Sequence, residues 1–243
     1  MKPLVIIPTY NEKENIQQII DTVMDLPSGF NILIVDDNSP DGTQDLVRAS
    51  QKTYGERLHL LSRAGKLGLG TAYIAGFKYG LENGFTHLFE MDADFSHPPY
   101  KLEELYKACS ANADISVGSR YIRGGGVKDW SWDRIILSRG ASIYVQLITG
   151  MPVKDPTAGF VCYTDKVLKS IDLDKIGFVG YAFQIEMKYV FWKHGFSIEE
   201  VPIIFKDREL GTSKMNVSII KEAILGVLKL RIRDIKNYYK KVS

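Results

Sequence analysis

Leu88-Phe89-Glu90-Met91-Asp92-Ala93-Asp94-Phe95-Ser96-His97-Pro98-Pro99 decides the fold of this chain. Residues 88–91 form a short, mostly apolar run that reads as a buried strand, and it halts at two carboxylates one residue apart. A strand that ends this way aims its carboxylates out of the sheet edge, where open α/β sheets bind ligands. Two hard oxygen ligands there suit Mg2+ or Mn2+ carrying a diphosphate. Without the rest of the chain, Asp92 and Asp94 would serve equally as a charged turn, since Asp is common in turns.

Outward from that point the same grammar repeats. Residues 4–7, 32–35, 59–61 and 115–118 are further short apolar runs. Asn11-Glu12-Lys13-Glu14 has the spacing of a helix cap and predicts a helix to about residue 26. Asp41-Gly42-Thr43-Gln44 predicts a second helix by the same logic. Gly65 to Gly70 is a glycine-rich link into a helix over 71–83, and Pro98-Pro99 opens another. Strand–helix alternation at this spacing predicts a single Rossmann-like α/β domain, a mostly parallel sheet flanked by helices. The second half is less regular. Gly124-Gly125-Gly126 reads as a mobile loop, residues 133–149 and 181–194 as helices, 155–160 as turn-rich and 197–204 as a strand.

The chain of 243 residues is 45% hydrophobic, enough for a sizeable core and too much for disorder. Its net charge is +2, which does not advertise nucleic-acid binding. Residues 218–243 nevertheless carry seven Lys and Arg against Glu222 and Asp234, a net +5. Ile220, Ile224, Val227, Leu228, Ile232, Ile235 and Tyr239 share one face of a helical wheel there, with Lys229, Arg233, Lys236 and Lys240 opposite. The pattern divides the chain into a body, 1–217, and a basic amphipathic C-terminal helix, 218–243, suited to a membrane interface or to packing on the body. Beyond Leu230 the charge favours anionic lipid. Cys109 and Cys162 stand far apart in apolar runs, which offers neither a disulfide framework nor zinc spacing and fits a reducing compartment. Neither a signal peptide nor a transmembrane run is apparent, so the expected location is cytoplasmic and peripheral to a membrane.

Parallel strands end on one side, so Pro8-Thr9-Tyr10-Asn11-Glu12, Asp36-Asp37-Asn38-Ser39-Pro40-Asp41-Gly42 and Asp92-Ala93-Asp94 should converge on one crevice. An aromatic ring, several carboxylates and a metal pair suit a nucleotide-sugar. These three segments resemble the A-type inverting glycosyltransferases. Gly68-Leu69-Gly70-Thr71-Ala72-Tyr73, Gly118-Ser119-Arg120-Tyr121, Ser138-Arg139-Gly140-Ala141 and Phe205-x-x-Arg208-x-x-Gly211-x-Ser213-Lys214 narrow the resemblance. Together they are similar to the dolichol-phosphate (polyprenol-phosphate) mannose synthases in their short form, without transmembrane helices.

The resemblance implies GDP-mannose as donor, dolichyl or polyprenyl phosphate as acceptor, and a divalent ion, Mg2+ or Mn2+, held by Asp92 and Asp94. It implies that Pro8, Tyr10, Glu12, Val35 and Asp37 surround the guanosine, and that Asp92, Ala93 and Asp94 meet the diphosphate and sugar. Ser96 stands where some relatives carry Gln as a third metal ligand. Arg120, Arg134 and Ser138 make a cationic pocket beside a hydroxyl, which suits a phosphate monoester, and the resemblance assigns it to the acceptor phosphate. Arg134 alone reads equally as a surface arginine. Arg208 and Lys214 could close over the diphosphate, or belong to a solvated basic loop. The implied reaction inverts the anomeric centre and needs little base catalysis; His97 is expected to order its loop instead. A membrane surface, contacted through the C-terminal helix, is the remaining partner, with room for a small membrane-anchoring subunit. Two other readings stay open on sequence alone: the same lipid acceptor with UDP-glucose or another donor, and a non-catalytic membrane adaptor.

Overall fold

The structure, a computed structural model, describes residues 1–180, 182–207 and 217–241, with the backbone alone over 217–223. The first half alternates as expected: β1 (Pro3–Thr9), α1 (Ile16–Met24), β2 (Asn31–Asp36), α2 (Thr43–Tyr54), β3 (Leu58–Ser62), α3 (Leu69–Glu82), β4 (His87–Glu90), α4 (Leu102–Ala111) and β5 (Ile115–Ser119). The second half contributes β6 (Gly126–Lys128), α5 (Trp132–Thr149), β7 (Val161–Thr164), α6 (Asp165–Lys169), α7 (Ala182–Lys193), β8 (Ile198–Pro202), β9 (Ile204–Lys206), α8 (Val217–Ile232) and α9 (Ile235–Tyr238).

Seven strands form one sheet in the order β3-β2-β1-β4-β7-β5-β8. β1 pairs in parallel with both β2 and β4, and Pro8 stands opposite Val35 while Ile6 stands opposite Glu90. The loops after β1, β2 and β4 therefore leave the sheet side by side. Both faces are buried because successive strand residues point to opposite sides. Leu4, Ile6, Leu33 and Val35 pack with α3, α7 and α8. Val5, Ile7, Ile32 and Ile34 pack with α1, α2 and α4.

Several local expectations needed correction. The first helix begins at Ile16, not near Asn11: Asn11 takes φ 60°, and a turn in which the Glu12 carbonyl accepts from Asn15 and Ile16 precedes the helix. Residues 161–164, which follow the turn-rich 155–160 and carry no strand signal of their own, form β7, which runs antiparallel between β4 and β5. The strand expected over 197–204 divides: β8 joins the main sheet, and β9 pairs with β6 in a separate two-stranded sheet. That small sheet also absorbs the glycines read as a mobile loop. Gly126 starts β6, and a Cβ on Gly125 would stand 2.5 Å from the Ser119 carbonyl oxygen. Close backbone approach, not mobility, explains the glycine there.

The C-terminal segment also departs from a single helix over 218–243. It breaks at Arg233-Asp234 between α8 and α9. Val227, Leu230, Ile235 and Tyr239 belong to the main core. The Tyr239 hydroxyl donates to Glu186 at 2.5 Å, and Asp172 N–H donates to the Tyr239 carbonyl at 2.9 Å. The segment beyond Ile232 is thus tied to the domain; of the three face residues beyond Leu230, Ile235 and Tyr239 are buried and Ile232 is exposed.

Candidate active site

Two laced loops build the first part of the site. Asp36, wholly buried, accepts from the Thr9 hydroxyl at 2.7 Å and from Ser39 N–H at 2.9 Å. Asn11 N–H donates to the Ser39 hydroxyl at 3.0 Å and Glu12 N–H to the Thr43 hydroxyl at 3.1 Å. Asp36 therefore shapes the loops, while the neighbouring Asp37 reaches Arg63 Nε at 2.6 Å. Arg63 also donates to the Thr71 hydroxyl at 2.8 Å, which links this pocket to the start of α3. Tyr10 lies half-buried with the Lys66 ammonium 5.0 Å from its ring centre. Val35 is wholly buried in the core, so its side chain faces no ligand. Arg63 was missed in the sequence, where it stood simply as a cation after the third strand.

The loop after β4 carries the second part. Phe95 takes φ 59°, and the turn brings the Ser96 N–H and hydroxyl onto Asp94 Oδ1 at 3.1 and 2.6 Å. Ser96 thus orients Asp94. Asp92 is half-buried and accepts from the Tyr73 hydroxyl at 3.3 Å. His97 Nδ1 accepts from the Asp92 N–H at 3.0 Å, and its ring stacks on Phe160 with centroids 5.0 Å apart. Burial lowers the pKa of His97 despite the nearby Asp92 and Asp94. A neutral ring whose Nδ1 is already accepting orders the loop, as expected, and is not placed as a general base. Among the described residues no group of three or more His, Cys, Asp and Glu is poised around a common point. The donor set here is a carboxylate pair, which fits a hard divalent ion completed by diphosphate oxygens and water.

The third part faces these carboxylates across a cavity of about 640 Å³. Asp92, Asp94, Arg120, Arg134, Ser138 and Asp207 all line it. Arg120 is gripped by Asp155, which accepts from Nε at 2.7 Å and from Nη2 at 2.6 Å, and Thr157 accepts at 2.9 Å. Burial alone would raise the Asp155 pKa, but the hydrogen bonds and charge of Arg120 outweigh it and hold it below the usual range. Arg134 pairs with Asp207 at 2.5 Å and its guanidinium sits 4.0 Å over the Trp130 ring. One turn on, the Ser138 hydroxyl accepts from Tyr121 at 2.7 Å. Arg120 therefore fixes the 155–159 segment, while Arg134 and Ser138 present a guanidinium and a hydroxyl on one helix face. Arg208 and Lys214 lie outside the described residues.

A buried polar trio lies beneath this cavity and was not foreseen. Gln184 Nε2 donates to Glu90 Oε2 at 2.6 Å, and Lys188 Nζ donates to Gln184 Oε1 at 3.2 Å and to the Ala158 carbonyl at 2.6 Å. Burial pushes the Glu90 carboxyl up and pulls the Lys188 ammonium down, each partly offset by the other.

The cavity is also lined by Ile136, Leu137 and Tyr144 of α5 and by Ile224 and Val227 of α8. On the same two helices Trp132 is 81% exposed, Ile136 70%, Leu225 59% and Ile232 85%.

Residues 4–176 match the family model described as glycosyl transferase family 2. The chain is 46% identical over 232 residues to a polyprenol monophosphomannose synthase of Mycolicibacterium smegmatis, covering 96% of this chain and 88% of the relative. It is 43% identical over 229 residues to an undecaprenyl-phosphate mannosyltransferase of Micrococcus luteus, covering 93% of each. A glucosyl-3-phosphoglycerate synthase from Mycobacterium tuberculosis, solved with Mn2+ and UDP, superposes with a TM-score of 0.66 over 95% of this chain and 79% of its own. At 16% identity that likeness concerns the fold.

Proposed function

The chain belongs to glycosyl transferase family 2, and from that premise we propose that it transfers mannose from GDP-mannose to a polyprenyl phosphate with inversion. The observation that carries this reading is the cavity itself, acidic at the β4 loop and apolar along α5 and α8. One end suits a nucleotide diphosphate with its cation and the other a lipid chain. The names of the two relatives supply mannose and the polyprenyl class.

Asp92 and Asp94 would hold Mg2+ or Mn2+, which when bound neutralises the diphosphate of the leaving nucleotide. The loops at Tyr10, Glu12 and Asp37 would take the guanosine. Arg134 and Ser138 would hold the acceptor phosphate, with Trp130 fixing the guanidinium plane. A phosphate monoester has a second pKa of about 6 and is mostly dianionic near neutrality, so it can attack without a base. The placement of His97 as a loop anchor agrees with that economy. Alignment of the two anions and neutralisation of the departing diphosphate are the work left to the protein.

A panel of nucleotide-sugars offered with undecaprenyl phosphate tests the reading, with the lipid product identified by mass spectrometry. GDP-mannose should give a polyprenyl-phosphate β-mannose. A charge-assisted hydrogen bond contributes about 1.5–3 kcal/mol, so Arg134→Ala should slow transfer by roughly ten- to a hundredfold. GDP-mannose affinity, read by calorimetry, should stay near wild type. Lost donor affinity with unchanged turnover and acceptor KM would reverse the two assignments.

We place the protein peripherally on a membrane, at the cytoplasmic face, where the buried thiols of Cys109 and Cys162 fit a reducing compartment. Among the described residues no helix is long and apolar enough to cross it. The exposed apolar residues of α5 and α8, with the basic Arg139, Lys229 and Arg231 on the same helices, form the docking face we assign, in place of the segment beyond Ile232. Burying one Ile or Leu side chain contributes about 1.5–3 kcal/mol. The Ile136→Ser/Leu225→Ser/Ile232→Ser variant should therefore bind anionic vesicles at least about tenfold more weakly in co-sedimentation. Equal binding would move the docking face elsewhere.

A further inference from the structure

We infer that Gln184 is a specificity-determining residue that reads a hydroxyl of the donor sugar, with Glu90 and Lys188 as positioning residues that lock its amide; this rests on the donor reading above. Gln184 is 4% exposed and lines the cavity from α7, on the sheet side. A Cβ on Gly159 would stand 3.6 Å from Gln184 Nε2 and 3.7 Å from His97 Cε1. Amide and imidazole thus flank the same glycine, and that imidazole holds the Asp92 backbone. Gln184 therefore sits on the floor beside the carboxylates that would take the diphosphate, where the sugar attached to that diphosphate must lie.

With Glu90 ionised and Lys188 protonated, the amide takes one orientation. Its Nε2 faces the Glu90 carboxylate at 2.6 Å, and its Oε1 faces the Lys188 ammonium at 3.2 Å. A flipped amide would set donor against donor and acceptor against acceptor. An amide nitrogen carries two hydrogens, and one is given to Glu90. The other makes no hydrogen bond to the described residues. A fixed, buried donor at the cavity floor matches a hydroxyl oxygen. It also penalises a sugar that puts no oxygen there, since the N–H would be left buried and unpaired. An apolar floor would hold a sugar without distinguishing its epimers. Two buried charges flanking one neutral amide are costly to retain unless the orientation they impose is used.

The test compares GDP-mannose, GDP-glucose and GDP on the full-length protein. Gln184→Met should lower kcat/KM for GDP-mannose by about ten- to a hundredfold and its preference over GDP-glucose by at least about tenfold. The Kd of GDP, which lacks the sugar, should stay within about twofold. The Glu90→Leu/Lys188→Met pair keeps Gln184 but frees its amide, and should lose preference in the same direction. Restoring the acceptor in Glu90→Gln/Lys188→Met should recover part of that preference, which a purely structural role would not do. Should Gln184→Met fail to fold, Glu90→Leu/Gln184→Met/Lys188→Leu removes both buried charges at once and carries the same expectation. Unchanged sugar preference in a folded variant, or equal weakening of GDP and GDP-mannose, overturns the inference. Wild-type protein that transfers no mannose overturns the donor reading and this inference with it.

Discussion

Asp94→Asn is expected to lower sugar transfer by about a thousandfold or more while leaving the fold intact. The fold should survive because the two bonds from Ser96 to Asp94 fall on one oxygen. Ser96 N–H and the Ser96 hydroxyl donate to Oδ1 at 3.1 and 2.6 Å, and an amide oxygen can accept both. What the substitution removes is one of the two carboxylate charges that the β4 loop presents to the cavity. Charge stabilisation by a bound divalent ion is worth several kcal/mol in the transition state, and about 4 kcal/mol corresponds to roughly a thousandfold in rate. Thermal melting checks the fold, transfer to lipid checks the rate, and calorimetry of GDP-mannose with and without Mn2+ checks the ion directly. Donor affinity that no longer depends on Mn2+ is the expected signature. A folded variant with full activity, or wild type indifferent to excess chelator, would sink the assignment.

The crevice we propose for the donor was legible because it follows from strand ends. β1, β2 and β4 are short, mostly apolar runs closed by polar residues, and parallel pairing alone brings their ends together. The residues we propose for the acceptor were legible one by one but not as an arrangement. Arg120, Arg134 and Ser138 do line one cavity, yet nothing local announces that Arg120 is gripped by a carboxylate 35 residues later. β7 has only four residues, and its place between β4 and β5 depends on pairing with strands far along the chain. Glu90 and Lys188 were hidden for a different reason. Charged residues are seldom fully buried, so Glu90 read as part of a strand and Lys188 as part of a helix surface. Their meaning lies in Gln184, 94 residues from Glu90, which joins them. The C-terminal pattern misled because an apolar helix face is the same in sequence whether a membrane or the domain covers it.

Asp155→Ala should destabilise the protein by about 3–5 kcal/mol and disable the cavity wall, although Asp155 is not placed to touch a substrate. Asp155 has no exposed surface, and the Arg120 side chain is only 9% exposed. Removing the carboxylate leaves a guanidinium among Tyr121, Trp130 and Phe205, whose rings offer weak compensation at 5.1–5.6 Å. It also removes the acceptor of the Arg120 backbone N–H, a bond of 2.9 Å. Asp155→Asn keeps acceptor capacity and should lose less. The pH dependence separates this pair from simple packing. Burial raises the Asp155 pKa, Arg120 more than reverses it, and the net shift is downward from 3.8. A carboxyl whose folded pKa is depressed contributes stability that is complete above its unfolded value and disappears as pH falls through the folded one. The gap between wild type and Asp155→Ala in urea denaturation should therefore be flat from pH 8 to about pH 5 and narrow below about 3.8. A gap under about 1 kcal/mol at pH 7 would show that Arg120 finds another partner, and a gap that persists unchanged into acid would show that volume, not charge, was lost.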